Sequence, residues 1–155
     1  MERSKVIWKR PGFLIRRLQQ ISTAIFISEC AGAELDVTAV QWGILSIVSE
    51  YPGVGQIEIA EELGLDRSNA ANVVERLTKR GLLRQKVSAT DQRKKEITIT
   101  KAGQKIMGQL EGCAQRFQRT LLGPLSDSER EMFVELLTRL VQGNNHLGRA
   151  HLRMT

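Results

Sequence analysis

The apolar residues of this 155-residue chain change their spacing once, in the stretch from residue 81 to residue 100. On either side of it they recur every three or four residues, which is typical of amphipathic helices. Residues 95–100 instead alternate between apolar and polar side chains, residues 82–87 predict a partner strand, and the polar residues 88–93 predict the turn between them. The chain is therefore expected to be mainly α-helical with one small β-hairpin.

Outside the hairpin, capping residues and glycines divide the chain into six predicted helices. Ser, Thr and Asp are favoured just before a helix because their side chains accept hydrogen bonds from its first free N–H groups, and Gly is favoured just after one. The predicted N-caps are Thr38, Asp66, Thr100 and Ser126, the last in a capping box with Glu129. The predicted helices cover residues 13–31, 39–49, 56–63, 67–80, 101–122 and 127–145.

Two of these helices, 56–63 and 67–80, are separated by a short turn and are followed at once by the hairpin. Two short helices joined in this way and followed by a two-stranded hairpin form a winged helix-turn-helix, whose second helix enters the major groove of DNA. We therefore predict a winged helix-turn-helix over residues 38–100. The predicted inward-facing residues are Ile57, Ala60 and Leu63 on the first helix, and Ala70, Val73, Val74 and Leu77 on the second.

Charge is distributed unevenly along the chain, which carries a net charge of +6. Residues 18–66 contain eight acidic residues and no Lys or Arg, whereas residues 67–95 contain nine basic and two acidic residues. Residues 1–17 add six basic residues and one acidic residue. A basic block that coincides with the second helix and the hairpin indicates a polyanion-binding surface, although charge alone is also compatible with a solvated helix face.

The side chains opposite the predicted inward face of the second helix suit DNA recognition. Its first half carries small polar groups that can reach base edges, and its second half carries cations that suit phosphates. The hairpin tip adds two cations that can reach an adjacent minor groove or its backbone. The predicted DNA-binding residues are Arg67, Ser68, Asn69, Asn72, Arg76, Lys79, Arg93 and Lys94.

Three segments resemble the MarR family of bacterial transcription regulators. They are residues 57–65, residues 77–84 and the run from Asp91 to Gly103, which is similar to the family's "DxR…LT..G" signature with Ile99 in place of the usual leucine. The resemblance extends over nearly the whole chain. Residues 11–18 also resemble members that are linked to the catabolism of aromatic compounds.

This resemblance implies a single domain over residues 1–155 that acts as a homodimer. The helices over 11–32 and 100–145 are then the dimerisation helices, and the two winged helices face two half-sites of a palindromic DNA operator. Helices with this much apolar surface need a partner face, which agrees with a dimer, although they could also pack on their own winged domain. The implied function is a sequence-specific DNA-binding regulator, expected to be a repressor.

The resemblance also implies a small-molecule effector that binds between the dimerisation and DNA-binding regions. An arginine beside aromatic side chains suits an aromatic carboxylate or its coenzyme A thioester. The predicted effector-binding residues are Arg16, Arg17, Phe26, Cys30, Trp42 and Ile106. Each aromatic residue among them is equally compatible with a role in the core.

Three other interpretations of the sequence remain open. A non-sensory architectural DNA-binding protein would share the basic block but would need no pocket, and a protein–protein adaptor would not use the basic face. A redox-sensing regulator would act through Cys30 or Cys113, yet Cys30 follows an acidic residue and Cys113 lies on an apolar stripe. Reactive cysteines require an electropositive and partly exposed setting.

Several classes of function are not supported by the sequence. We expect no enzyme, since no nucleophilic triad, phosphate-binding loop or paired-carboxylate motif is present and both histidines, His146 and His151, lie near the C-terminus. We expect no cofactor and no metal, because the two cysteines fit neither a zinc site nor a disulfide framework. Without a long apolar run or a signal-like N-terminus, we expect a cytoplasmic protein with no membrane partner.

Overall fold

A computed structural model describes residues 9–148, 150, 152 and 153 of the chain. The basic residues before position 9, and His151, lie outside the described residues. The structure is mainly helical with a two-stranded antiparallel hairpin, as the sequence predicts. Its elements are α1 (Pro11–Gly32), α2 (Ala39–Glu50), α3 (Gln56–Leu63), α4 (Arg67–Lys79), β1 (Leu83–Val87), β2 (Lys95–Ile99), α5 (Lys101–Leu122), α6 (Asp127–Asn144) and a 3₁₀ turn (Asn145–Leu147).

The four predicted N-caps are all confirmed. The side chains of Thr38, Asp66, Thr100 and Ser126 each accept a hydrogen bond from the backbone N–H three residues later. Ser126 and Glu129 form the predicted capping box, and α2 begins with a second one. Gly64 ends α3 in the left-handed region with a φ of 60°, where a residue without Cβ is favoured. The tight turn between α3 and α4 is therefore specified by local sequence.

The hairpin pairs Leu83 with Ile99 and Val87 with Lys95. The other edge of β2 forms an isolated bridge between Ile97 and Val54. The first strand starts one residue later than the sequence suggests. The N–H of Leu82 donates instead to the carbonyl oxygen of Leu77 (3.0 Å), so this residue still belongs to the turn that ends α4. The end of α4 thus sets where the hairpin begins.

One apolar core joins the winged helix-turn-helix to the long helices. The predicted core residues of α4 are buried, and they pack with α2, β2 and α5. The prediction for α3 is partly wrong, because Ile57 is 48% exposed and Ile59 is fully buried in its place. In a helix of only eight residues, the positions of α2 and α4 decide which face is buried, and periodicity does not. The residues that form this core are Phe26, Cys30, Val37, Ile44, Leu45, Val48, Ile59, Val73, Val74, Leu77, Leu82, Leu83, Ile97 and Leu110.

The junction between the hairpin and α5 is tightly packed. The Thr100 hydroxyl donates to the carbonyl oxygen of Gly81 (2.6 Å) while it caps α5. Gly103 is buried, and a Cβ at this position would collide with the carbonyl oxygen of Leu82. A glycine is therefore required where α5 crosses the end of the helix-turn-helix.

The last long helix differs from the others because it buries none of its residues. Its apolar side chains are nevertheless numerous, and five of them are between 44% and 55% exposed: Met132, Val134, Leu136, Leu140 and Val141. Among the described residues, no helix is both long enough and apolar enough to cross a membrane.

Candidate DNA-binding surface and effector cavities

The exposed face of α4 begins at a well-ordered N-terminus. The N–H of Asn69 donates to Oδ1 of Asp66 (2.8 Å), which fixes the first turn of the helix. The six predicted DNA-binding residues of this helix are all exposed: Arg67, Ser68, Asn69, Asn72, Arg76 and Lys79. Five of them lie on one surface, where Ser68, Asn72 and Lys79 are opposite the buried stripe and Asn69 and Arg76 flank them. Arg67 lies beside the stripe instead and lines a cleft with residues of α3.

One acidic residue lies within this surface. Nζ of Lys79 forms an ion pair with Oε1 of Glu75 at 2.7 Å, one helical turn away. The hydrogen bond and the charge of Lys79 lower the pKa of the Glu75 carboxyl below its ordinary value. The carboxylate stays ionised and offsets the charge of Lys79 on this surface.

The tip of the hairpin is an ordered turn that exposes two cations. The N–H of Lys94 donates to the carbonyl oxygen of Asp91 (2.9 Å), and the N–H of Arg93 donates to Oδ1 of the same residue (3.0 Å). The turn is closed by the N–H of Ser88, which donates to the carbonyl oxygen of Lys94 (2.9 Å). Since the backbone of Arg93 is fixed while its side chain is exposed, the guanidinium projects from a defined position.

A chain of side-chain hydrogen bonds connects the hairpin to both helices of the motif. Nε2 of Gln85 donates to the Thr78 hydroxyl of α4 (3.1 Å), and Nε2 of Gln56 donates to Oε1 of Gln85 (3.4 Å). Sequence reasoning missed these residues. The one available signal is a half-buried glutamine in the middle of a strand, which needs partners for its amide.

The predicted effector-binding residues are divided among different places. Phe26 stacks on Trp42 with ring centroids 5.9 Å apart, and Phe117 packs edge-on against Phe26 at the same distance. Phe26 and Cys30 line a cavity of about 600 Å³ that also contains Glu34 and Asp36. Ile106 packs half-buried against the core.

Trp42 lines a second cavity, of about 670 Å³, between α2, α5 and the start of α6. The charged residues that line this cavity are two arginines, Arg119 and Arg130, and one acid, Glu111. Arg130 donates from Nε to the carbonyl oxygen of Leu122 (3.1 Å) and pairs with Asp127, so its guanidinium is held in place. An aromatic wall and two cations thus meet in one cavity.

The arginine pair of α1 lies elsewhere. Arg16 stacks over the ring of Phe13 at 5.4 Å, and Arg17 donates to Gln20 (3.4 Å). Phe26 follows Arg16 by ten residues, or roughly 15 Å along a helix axis. The structure does not bring Arg16 or Arg17 to the cavity of Phe26 or to that of Trp42.

The two cysteines, distant in sequence, meet between α1 and α5. Both are buried, and the Cys113 thiol donates to the carbonyl oxygen of Glu29 (3.6 Å) while Nη2 of Arg116 donates to its sulfur (3.3 Å). Burial raises the pKa of the Cys30 thiol, with further increases from Cys113 and Glu29 that exceed the opposing effect of Arg116. A buried thiol with a raised pKa forms little thiolate, which disfavours oxidation at Cys30.

An apolar groove of about 470 Å³ separates the start of α1 from α6. Within the described residues, Arg17 supplies its one charged side chain. The groove is lined by Pro11, Leu14, Ile15, Arg17, Leu18, Ile21, Phe133, Leu136, Leu137 and Leu140. Two of the exposed apolar residues of α6, Leu136 and Leu140, therefore face the start of α1 across this groove.

A capped helix with an exposed polar and basic face, held by side-chain bonds to a hairpin with a cationic tip, defines a winged helix-turn-helix DNA-binding protein. The MarR family model matches residues 35–94, from the approach to α2 as far as the hairpin tip. Together with the similarities reported next, this match shows that the chain belongs to the MarR family of transcriptional regulators.

Three relatives illustrate the similarity. The chain is 28% identical to the transcriptional regulator HosA of Escherichia coli O157:H7 over 127 residues, which cover 82% of this chain and 91% of HosA. The crystal structure of the PcaV transcriptional regulator from Streptomyces coelicolor, in complex with its natural ligand, is 30% identical and superposes with a TM-score of 0.82 over 90% of this chain and 96% of PcaV. BpsR from Bordetella bronchiseptica, whose DNA binding is regulated by 6-hydroxynicotinic acid, is 26% identical with a TM-score of 0.80 over 85% of this chain and 93% of BpsR.

Proposed function

We propose that this chain is a homodimeric repressor that binds a palindromic operator and is released by an aromatic acid or its coenzyme A thioester. The observation that carries the proposal is the exposed face of α4 beside the cationic hairpin tip. On this proposal, α4 lies in the major groove of each half-site, and Arg93 and Lys94 reach the adjoining minor groove or its backbone. BpsR, whose DNA binding responds to an aromatic acid, supports the same combination of activities.

The proposal assigns sequence reading and phosphate binding to different parts of α4. The amides of Asn69 and Asn72 can pair with adenine edges, and the Ser68 hydroxyl can bond to a base or a phosphate. Arg67, Arg76 and Lys79 are assigned to phosphates, which fix position but do not discriminate sequence. Substitutions of the sequence-reading residues should therefore change the affinity ratio between operator and variant DNA, whereas substitutions of the phosphate-binding residues should change both affinities alike.

The first prediction compares Asn72→Ala with Lys79→Ala. Asn72→Ala should reduce the affinity ratio between the operator and single-base variants by about tenfold, because a bidentate amide–base contact contributes about 1–3 kcal/mol of discrimination. Lys79→Ala should weaken binding to all sequences alike, by only about two- to threefold, because Glu75 already pairs with this lysine. Both ratios are measurable by fluorescence anisotropy at fixed salt. Equal losses on operator and variant DNA for both mutants would refute the assignment of base reading to this face.

The effector site that the geometry favours is the cavity of Trp42. An aromatic ring can lie against Trp42 while its carboxylate pairs with Arg119, which is exposed and lines the same cavity. The cavity of Phe26 is less suitable for an anion, since its two charged residues are the acids Glu34 and Asp36, whereas the Trp42 cavity has two arginines and one acid, Glu111. A ligand beside Trp42 would contact both α2 of the DNA-binding part and α5, and would bias the spacing of the two recognition helices.

The second prediction concerns this cavity. Aromatic acids and their coenzyme A thioesters should quench Trp42 fluorescence and weaken operator binding, and Arg119→Ala should weaken the acid by about 10–100-fold through loss of a charge-assisted hydrogen bond. The background should carry Trp8→Phe, so that Trp42 is the sole reporter. Because the coupling is reciprocal, operator DNA must weaken the acid by the same factor as the acid weakens DNA.

Arg16→Ala and Arg17→Ala are the matched controls for the effector site, because each removes one arginine that does not line the cavity. Both should keep the affinity of the acid. If either control loses affinity while Arg119→Ala retains it, the carboxylate is held by α1 and our assignment is wrong. An acid that binds without changing operator affinity would favour an architectural DNA-binding protein over a sensor.

A further inference from the structure

A segment beyond α6, described at residues 145–148, 150, 152 and 153, contacts the turn between α3 and α4. Asn145 and Leu152 exchange two hydrogen bonds: Nδ2 of Asn145 donates to the carbonyl oxygen of Leu152 (2.6 Å), and the N–H of Leu152 donates to Oδ1 of Asn145 (3.0 Å). The N–H of the next residue, Arg153, donates to the carbonyl oxygen of Glu61 in α3 (2.8 Å). The segment is therefore bonded at one end to α6 and at the other to the helix-turn-helix.

The contact completes the C-terminal end of α3. The last carbonyl groups of any helix lack partners within it. Here the carbonyl oxygen of Ala60 accepts from the N–H of Leu65 (2.8 Å), and that of Glu61 accepts a long hydrogen bond from the N–H of Gly64 (3.4 Å). The N–H of Arg153 is a second and closer donor to the Glu61 carbonyl (2.8 Å), so it strengthens the end of α3.

Side-chain packing adds to these hydrogen bonds. Gly64 has a positive φ, and a Cβ at this position would lie 3.5 Å from Cβ of the half-buried Leu152. Ala150 lines a cleft together with Ala60, Leu65 and Arg67, the first residue of α4. The backbone that immediately precedes the recognition helix is therefore next to Ala150 and Leu152.

We propose that this segment is a brace and that Asn145 and Leu152 are positioning residues for DNA binding. The turn of residues 64–66 supplies the N-cap of α4, so its position sets the direction of the helix that carries Arg67, Ser68 and Asn69. The brace ties that turn to the end of α6, the helix proposed to form the dimer interface. The role of the brace in DNA binding rests on the proposed function, but the effect of the brace on the turn is independent of DNA.

The test uses Asn145→Ala and a chain that ends at Gly148, with Asn144→Ala as the matched control. Asn144 is the neighbouring asparagine, but its Nδ2 donates to the carbonyl oxygen of Leu140 within its own helix (2.8 Å). In the DNA-free protein, Asn145→Ala and the shortened chain should each speed amide hydrogen exchange at residues 64–66, and Asn144→Ala should not. With DNA, the first two should lose about fivefold in operator affinity and keep their affinity for non-operator DNA, as expected when hydrogen bonds that only position the helix are removed.

Combining the two changes separates a brace from a direct contact. If the brace acts as a unit, Asn145→Ala should have no further effect in the shortened chain. Equal losses on operator and non-operator DNA in the shortened chain, with a smaller salt dependence, would instead mean that the removed arginines contact phosphate, and would overturn the proposal. Unchanged exchange at the turn would also overturn it. Should the full chain fail to bind an operator, the proposed function would fall while the exchange result still decides the brace.

Discussion

Replacing Leu136 with glutamate is expected to convert the protein to a monomer and to reduce operator affinity by at least about 100-fold. Leu136 lies in the apolar groove between α1 and α6 and is 45% exposed in the single chain. A surface of this kind on a helix with no buried residue indicates an interface, and we propose that a second copy covers it. A carboxylate buried there without a partner costs several kcal/mol.

The loss of DNA binding follows from two-site geometry. A dimer that binds two half-sites gains a high effective concentration for the second site, and a monomer loses this gain entirely. Because Leu136 is partly solvated in the single chain, the fold itself should survive, which circular dichroism can verify. Sedimentation and gel-shift measurements then report assembly and binding separately.

Gln142→Glu is the matched control for this experiment. It introduces the same charge on the same helix, at an exposed residue that does not line the groove, and should leave both assembly and affinity unchanged. A Leu136→Glu protein that remains dimeric at micromolar concentration would show that the interface lies elsewhere. A monomeric Leu136→Glu protein that still binds the operator fully would contradict the need for a dimer.

Local signals in the sequence account for most of the fold. Each N-cap depends on a side chain that bonds within its own turn, so Thr38, Asp66, Thr100 and Ser126 could all be identified without tertiary information. The inward face of α4 was also predictable, because thirteen residues define its stripe. The eight residues of α3 are too few to define such a stripe, which is why the sequence predicts the wrong face for Ile57.

Contacts between residues far apart in the chain could not be predicted. Two such contacts depend on the packing of α1 against α5. One is the ion pair between Glu29 and Arg116 at 2.7 Å, and the other is the contact between the free thiols of Cys30 and Cys113. The same limitation applies to the effector site. Sequence reasoning grouped Arg16 with Trp42 because family resemblance assigns both helices to one pocket, whereas α5 and α6 supply the arginines that line the Trp42 cavity.

The hairpin tip is where we expect the second largest effect on DNA binding. Arg93→Ala should weaken operator binding by about 1–3 kcal/mol. This corresponds to a loss of about 5- to 150-fold in affinity. The salt dependence of operator binding should fall by about one charge per subunit, because each wing loses one cation that is proposed to lie near a DNA phosphate. Titrations at several salt concentrations measure both quantities.

Two further variants of the tip separate the charge of Arg93 from the conformation of the turn. Gln92→Ala changes the exposed neighbour without changing charge and should bind like the natural protein. Asp91→Ala removes the carboxylate that accepts from the N–H of Arg93, so the turn loses one of its hydrogen bonds while the guanidinium is kept. Its affinity should fall less than that of Arg93→Ala, and its salt dependence should stay the same because the cation is still present. If Arg93→Ala binds as tightly as Gln92→Ala at matched salt, the hairpin does not contact DNA and the basic surface is limited to α4.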